Sequence, residues 1–240
     1  MAKRLKAMGQ AKYQADGNLR TSGPGFALTV HPTVVNEPLR WRKPRKVFVN
    51  SMSDLFHPQV PTPWLADIYA VMAASPQHTF QVLTKRSPRA RNVLADEQFI
   101  TNVFDRAARK ASTAGKCIPR GQWSWPLHNV WVGVSVETPD QMWRLDDLRQ
   151  TAAAIRWMSA EPLLGALPGL DLTGVDWVVT GGESGPGARP ADLDWFRDVR
   201  GQCAAAGVAF LHKQHGGRTS DHGGRVLDGV VHDAYPPAVE

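Results

Sequence analysis

Cysteine is scarce in this sequence, since its 240 residues include only Cys117 and Cys203. A disulfide scaffold would need more cysteines, and the absence of a C-x-x-C pair leaves this chain without a thiolate-rich zinc or iron–sulfur site. No apolar run is long enough to cross a bilayer, and no apolar leader opens the chain. We therefore expect a cytoplasmic protein with no membrane partner. A G-x-G-x-x-G motif after a strand is also missing, which argues against a dinucleotide fold.

Positive charge is concentrated near the start of the chain. The net charge is +6, but residues 1–46 hold ten basic and two acidic residues, whereas the remaining 194 hold 18 basic and 20 acidic ones. Such a segment suits contact with the phosphates of a nucleic acid, a possible partner. A solvated arm is the favoured alternative, because no motif for groove entry accompanies the segment.

Short apolar segments alternate with amphipathic ones along most of the chain. Continuous apolar strands separated by helices are typical of a parallel sheet buried on both faces, either a barrel or a doubly wound sheet. We predict a basic helix end (1–6) and connection over residues 1–44 and an α/β domain over 45–235. The predicted strands are 46–49, 79–83, 130–134, 155–158, 177–179 and 208–211, and the helices are 63–74, 97–111, 139–149 and 194–206, the last ended by Gly207.

Polar side chains follow the predicted strands, at the edge where α/β folds collect functional groups. The run Asn50-Ser51-Met52-Ser53-Asp54 offers an amide, hydroxyls and a carboxylate, which suit an amine or a ribose, although the same residues are common turn formers. Lys85 and Arg86 suit a phosphate or carboxylate, or are ordinary surface charge.

Glu137, Glu161 and Glu183 each follow a strand. Three such carboxylates suit acid–base chemistry, a metal, an amine or sugar hydroxyls. The alternative is a structural ring of ion pairs with Lys85, Arg86 and Lys213, since carboxylates are seldom buried without partners.

The glycine-rich segment 181–190 allows a close backbone approach to a ligand, and Arg189 within it could add a bidentate contact. It lacks the ending of a P-loop, and a flexible loop is the alternative. A histidine cluster near the C-terminus matches no known ligand spacing, so we predict no metal site. Most of the nine tryptophans suit core packing; base stacking is an option for Trp123 and Trp125, which fall in a loop.

Several segments together resemble a phage and prophage protein family of unknown function, named after gene products thirty-seven and sixty-eight. They are Phe48–His57 (FVNSMSDLFH), Gln81–Arg86 (QVLTKR), Asn129–Glu137 (NVWVGVSVE), Ser159–Gly165 (SAEPLLG) and Gly181–Pro186 (GGESGP), with His212–Gln214 and Gly216-Gly217 closing the series.

That family is similar to distant radical S-adenosylmethionine enzymes with a partial TIM-like barrel. The resemblance implies a barrel of about six visible strands whose first strand is missing. Relatives begin with a strand and a cysteine loop, and in such enzymes three cysteines hold a [4Fe–4S] cluster. The loop is absent here, so the resemblance implies no cluster ligands and no reductive cleavage of S-adenosylmethionine by this chain.

The resemblance also implies residue roles. Asn50, Ser51 and Asp54 would hold the amino acid part of S-adenosylmethionine. Ser135, Glu137 and Glu161 would face the same cavity. From their own charges and their places after strands, rather than from the resemblance, we expect substrate contacts by Lys85, Arg86, Glu183, Arg189 and Lys213.

The leading hypothesis is thus a radical S-adenosylmethionine-like phage protein, inactive as this chain and of unknown reaction. The alternative is a non-enzymatic phage protein that binds nucleic acid through its basic first 46 residues. A metal-independent lyase or hydrolase that uses the carboxylates is a third interpretation.

Overall fold

The computed structural model describes residues 8, 28, 30–51, 53–115, 123–219 and 222–237. The helix end predicted over 1–6 lies outside them. The first elements are a short helix, α1 (Pro32–Val35), and a 3₁₀ helix over Glu37–Arg40. Each carries proline within its first two positions, where the missing N–H costs no hydrogen bond. The connection predicted over 1–44 therefore contains helical turns in its described part.

The described residues form one parallel six-stranded sheet, whose spatial order follows the chain order. A doubly wound sheet reverses its strand order near the middle, so this topology excludes that alternative. The sheet curls into a half-barrel, which confirms the prediction of an α/β fold consistent with a partial TIM-like barrel. The strands are β1 (Lys46–Val49), β2 (Thr79–Thr84), β3 (Val130–Ser135), β4 (Ile155–Ala160), β5 (Trp177–Thr180) and β6 (Ala209–His212).

Helices connect successive strands except β4 and β5, which are joined by residues 161–176 without a helix. The side chain of Asp96 caps one of these helices by accepting a hydrogen bond from the Phe99 amide at 3.0 Å. Gly207 ends the last at φ +67°, in the left-handed region predicted for it. The helices that follow α1 are α2 (Thr62–Ala73), α3 (Ser87–Leu94), α4 (Glu97–Thr113), α5 (Arg144–Arg149) and α6 (Leu193–Ala206). Asp96 caps α4, and Gly207 ends α6.

The helix predicted over 139–149 is wrong in its first half. A 3₁₀ turn over Pro139–Gln141 precedes α5, and Trp143 is 49% exposed rather than packed on an apolar face. The Gln141 side chain turns back to accept a hydrogen bond from the Glu137 amide at 2.9 Å, which ties this segment to the end of β3.

The two faces of the sheet differ in what covers them. On the outer face, alternate strand residues such as Val130, Val132 and Val134 join the helices in the main core. The inner face carries a separate aromatic cluster built from strand residues, with Trp131, Trp157 and Trp177 at its centre. The helices of the main core lie on the outer face, whereas on the inner face these three tryptophans are at most 8% exposed.

The chain after β6 adds a small hairpin, β7 (Val226–Leu227) and β8 (Val230–Val231). It then runs antiparallel beside β6, where Leu211 bridges Asp233. Within the described residues, no helix combines the length and apolar character that a membrane span requires.

Candidate functional site

The inner face of the sheet changes in character from the middle of the strands to their carboxyl ends. Ser135 pairs with Ser159 across β3 and β4, and both are buried. Side chains alternate between faces along a strand, so Glu137 and Glu161, two residues further on, extend the same face. Aromatic rings therefore lie deepest, hydroxyl groups follow, and charged groups form the rim.

The aromatic floor depends on one glycine. A Cβ atom on Gly133 would lie 2.4 Å from the indole of Trp157, so only glycine leaves room for that ring. Trp157 in turn contacts Trp177, with ring centroids 5.4 Å apart, and Tyr235 stacks on Trp177 at 4.9 Å. The floor is thus a continuous aromatic surface that includes a residue from beyond the sheet.

Part of this surface is open to solvent. Phe48 of β1 is 45% exposed and touches Trp157 edge-on, with centroids 6.2 Å apart. Lys46, on the same face of β1, places its ammonium 3.5 Å from the ring centroid of Tyr235. An exposed aromatic ring on the inner face is a platform for a planar group.

Two ammonium–carboxylate pairs form the rim. Lys85 Nζ lies 2.5 Å from Glu137 Oε1, with the lysine side chain half exposed and the glutamate 13% exposed. Lys213 Nζ lies 2.8 Å from Glu161, whose Oε1 also accepts a hydrogen bond from Gln214 at 2.9 Å. Each carboxylate is therefore held in place by a neighbouring cation.

The third carboxylate, Glu183, is bound by Arg189 of the glycine-rich segment. Arg189 donates to it from Nε at 2.8 Å, from a terminal guanidinium nitrogen at 2.9 Å and from its backbone N–H at 2.8 Å. These hydrogen bonds lower the pKa of Glu183 to about 2. The hydrogen bonds to Glu183 raise the pKa of Arg189, and the charge of Glu137 adds to this effect.

The loop after β1 is held by Asp54. Its Oδ1 accepts hydrogen bonds from the Thr84 hydroxyl at 2.7 Å and the Phe56 amide at 2.9 Å, and its Oδ2 accepts one from the Lys85 amide at 2.8 Å. Three donors thus engage the carboxylate that the resemblance assigns to a ligand. In this structure it positions the loop and Lys85.

The side chains of Asn50, Ser51 and Arg86, also predicted at the carboxyl edge of the sheet, form no such hydrogen bonds within the described residues. Asn50 has a positive φ of 60°, and it and Ser51 are exposed at the end of β1. The side chain of Arg86 is exposed and forms no ion pair within the described residues, unlike Lys85. The carboxylates therefore form separate ion pairs rather than the expected ring. The arginine that pairs with one of them is Arg189, not Arg86 as expected.

Several supporting residues escaped the sequence reasoning. Arg89 donates to backbone carbonyls of the loop after β1, among them Val60 O at 2.6 Å. Arg144 donates to Ser135 O at 2.7 Å, and its Nε is buried without a partner in the described chain. Arginines in the first turns of helices carry no pattern that distinguishes these roles from surface charge.

A chain of buried side chains lies behind the rim, under α6. Thr180 Oγ1 lies 3.0 Å from His212 Nδ1, and His212 Nε2 lies 3.0 Å from His215 Nδ1. His215 Nε2 is 3.1 Å from Val226 O, which can only accept, so that nitrogen carries a proton. Burial, reinforced by His215, lowers the pKa of His212 to about 4. This chain ties β5, β6 and the hairpin together.

The tryptophans proposed for base stacking are packed. Trp123 stacks on Phe104 at 5.9 Å and donates to Ala73 O, and Trp125 donates to Leu94 O at 2.9 Å. Both anchor their segment to the helices. This favours the packing interpretation.

The residues present do not fit a radical-type iron–sulfur cluster. Such a cluster takes three cysteine thiolates, and the chain contains two cysteines. Cys203 lies on the buried face of α6, where burial raises the pKa of its thiol to about 12, and Cys117 lies outside the described residues. No group of three histidine, cysteine, aspartate or glutamate side chains in the described ranges is arranged to hold a metal ion.

Comparison with known families gives one match. A family model described as "Protein of unknown function" (DUF5131) matches residues 1–236, almost the whole chain. No curated protein and no solved structure matches the chain.

Proposed function

We propose, on the premise that this chain belongs to the DUF5131 family of proteins of unknown function, that its inner face binds a nucleoside that carries an amino acid. S-adenosylmethionine is the specific candidate. The relationship to radical S-adenosylmethionine enzymes, and the phage origin, are supported by the motif resemblance alone. The single observation that carries the proposal is the pair of ammonium–carboxylate contacts at the rim, directly above an aromatic floor.

The rim suits a zwitterion. An amino acid head presents an ammonium and a carboxylate, the same two charges that Lys85 and Glu137 present to each other at 2.5 Å. A ligand head can insert between them, with its ammonium on Glu137 and its carboxylate on Lys85, and both hydrogen bonds are charge-assisted. Asp54 fixes the backbone of Lys85, so the cation is positioned before binding.

The floor suits a planar ring. Phe48 offers an exposed ring on the inner face of β1, one register step below the exposed Asn50 and Ser51. The amide and hydroxyl of these two residues suit the ribose or the amino acid head. Base and head can then be bound along one continuous face.

The proposal covers binding and no redox step. The reductive cleavage that radical enzymes perform needs an electron from their cluster, and two cysteines do not make a cluster site in this chain. What these residues do is hold and orient the ligand.

Isothermal titration calorimetry with S-adenosylmethionine tests the proposal. We expect saturable binding by the wild-type chain and an affinity loss of about 10- to 100-fold in Glu137→Gln and in Lys85→Met, since each removes a charge-assisted hydrogen bond worth roughly 1.5–3 kcal/mol. Phe48→Ala should weaken binding of the nucleoside part, measured with 5′-methylthioadenosine.

Arg197→Gln is the matched control, because this partly exposed arginine of α6 pairs with Asp194 and Asp228 rather than with a rim residue. It should bind like the wild type. Absence of heat at millimolar ligand, or equal losses in the control and the rim variants, would show that the rim is not the binding site.

A further inference from the structure

A second polar region lies at the opposite end of the half-barrel, where β1 and β2 begin. A cleft of about 940 Å³ opens there between the segment before β1, the turn before β2 and the end of α4. Its lining includes Arg40, Trp41, Arg42, Gln77, Arg109 and Lys110. Four of these six side chains are cationic, and no acidic residue lines the described cleft.

Three of the cations are unpaired. The guanidinium groups of Arg40, Arg42 and Arg109 are exposed and form no ion pair or hydrogen bond within the described residues. Lys110 differs, because its ammonium donates to Asn36 Oδ1 at 2.9 Å and lies 3.6 Å from Asp67. Elsewhere in the described chain, exposed arginines such as Arg197 and Arg200 share Asp228. The cleft therefore holds positive charge that the protein does not compensate.

Helix dipoles explain only part of this arrangement. The carboxyl ends of α2 and α4 face the cleft, and a cation in a last helical turn contributes roughly 0.3–1 kcal/mol. Lys110 occupies such a turn. Arg40 and Arg42 belong to a different segment and donate to no carbonyl of either helix. The helix dipoles therefore do not explain why Arg40 and Arg42 lie at this cleft.

The positive charge continues beyond the cleft. Residues 40–46 read RWRKPRK and carry five cations, and Glu37 is the nearest acid in sequence. Within this run the Arg45 guanidinium lies over the ring of Trp41 at 4.6 Å, and Lys46 reaches Tyr235 on the inner face. The cations thus extend from the cleft to the edge of the sheet. They are more numerous than contact with a single phosphate group requires.

We propose that this basic cleft, with the run 40–46, binds the phosphate backbone of a single-stranded nucleic acid. Repeating phosphates match repeating cations, and the guanidinium group accepts phosphate in bidentate geometry. A concave site suits a strand better than it suits a flat lipid surface. Trp41 adds a ring with Arg45 over it, and Gln77 adds an amide whose Nε2 donates to Trp41 O at 3.3 Å. Rings and amides are the groups that contact unpaired bases.

Fluorescence anisotropy with a labelled 20-nucleotide oligothymidine tests the proposal on the full chain. We expect binding at 50 mM KCl that weakens steeply with salt, because it releases counterions. Arg40→Ala/Arg42→Ala should lower the affinity at least 10-fold and reduce the slope of log K against log salt by about 1.4, because each neutralised phosphate of a single strand contributes roughly 0.7 to that slope. Arg40→Lys/Arg42→Lys should retain most of that slope.

The matched control is Arg197→Ala/Arg200→Ala, which removes the same charge from paired arginines on another surface. We expect less than a twofold change. Circular dichroism checks that both double variants are folded. We expect this for Arg40→Ala/Arg42→Ala because both arginines are exposed and unpaired within the described residues.

Three results would overturn the proposal: no binding by the wild-type chain at low salt, equal losses in both double variants, or cleft-dependent binding to phosphatidylserine vesicles or polyaspartate without binding to the oligonucleotide. S-adenosylmethionine titrated into Arg40→Ala/Arg42→Ala should bind as in the wild type, so the two sites are tested separately.

Discussion

His212 shows how a single buried residue depends on its neighbours. It is fully buried between the sheet and Phe196 of α6, whose ring centroid lies 4.6 Å away. Burial is the main cause of its lowered pKa, and the nearby His215, His232 and Arg225 oppose its protonation further. The residue is therefore neutral in the folded protein and links Thr180 to the hairpin.

This neutrality predicts a pH dependence of stability. The pKa of His212 is about 4 when folded, against an ordinary 6.5, so between these values the unfolded chain binds more protons. The free energy of unfolding should therefore be fully present above pH 6.5 and fall by at most about 3 kcal/mol toward pH 4. Urea denaturation across this range measures it. His212→Asn should flatten the dependence; a His212 pKa near 6.5 by NMR would contradict the prediction.

At the scale of elements, the loop after β1 and the end of β2 behave as one unit. Asp54 joins them through three hydrogen bonds, and Arg89 of α3 binds the carbonyls of the same loop. Loops at strand ends are usually the most mobile parts of such folds. Here the carboxylate of Asp54 and the guanidinium group of Arg89 hold the loop that carries Asn50 and Ser51.

Asp54→Asn should loosen this unit without unfolding the sheet. The amide keeps one acceptor but loses the charge, at a cost of roughly 1–2 kcal/mol. We expect faster hydrogen exchange at the amides of Phe56 and Lys85, which donate to Asp54. Asp96→Asn, a change of the same kind at the cap of α4, is the control and should leave these two amides unchanged. Equal exchange rates at Phe56 in wild type and Asp54→Asn would contradict the prediction.

At the scale of the whole molecule, two faces and two ends have distinct chemistry. The outer face is apolar and covered by helices, and the inner face is aromatic with a charged rim. The carboxyl end of the sheet holds balanced ion pairs, whereas the amino end holds unpaired arginines. The carboxyl end of the sheet therefore suits a zwitterion, and the amino end suits a polyanion.

Burial of Cys203 in the outer core predicts its reactivity. With no exposed surface and a thiol pKa of about 12, it should react with a thiol reagent only when the protein opens. In a Cys117→Ser variant, labelling by 5,5′-dithiobis(2-nitrobenzoate) should be absent in native buffer and complete in denaturant. Rapid native labelling would mean that α6 does not cover the sheet as described.

The strands and the candidate site differ in how far the sequence predicts them. All six predicted strands are present, with bounds that differ from the prediction by at most two residues. A continuous apolar segment such as 130–134 is compatible with few structures other than a buried strand. The first half of the helix predicted over 139–149 is wrong, since apolar spacing does not reveal that Gln141 accepts a hydrogen bond from the Glu137 amide. The short hairpin after β6 escaped prediction because its strands contain two residues each.

The polar residues at the strand ends were identifiable from the sequence alone, because parallel strands bring their carboxyl ends to one edge. The sequence by itself determined which charges lie at that edge. Only the tertiary structure decided their partners: Lys85 with Glu137, Lys213 with Glu161, and Arg189 with Glu183. It also brought Arg109 into one cleft with Arg40 and Arg42, which lie more than 60 residues earlier in the chain. The physical reason is that strand pattern is a local property, whereas ion pairing depends on which strands become neighbours.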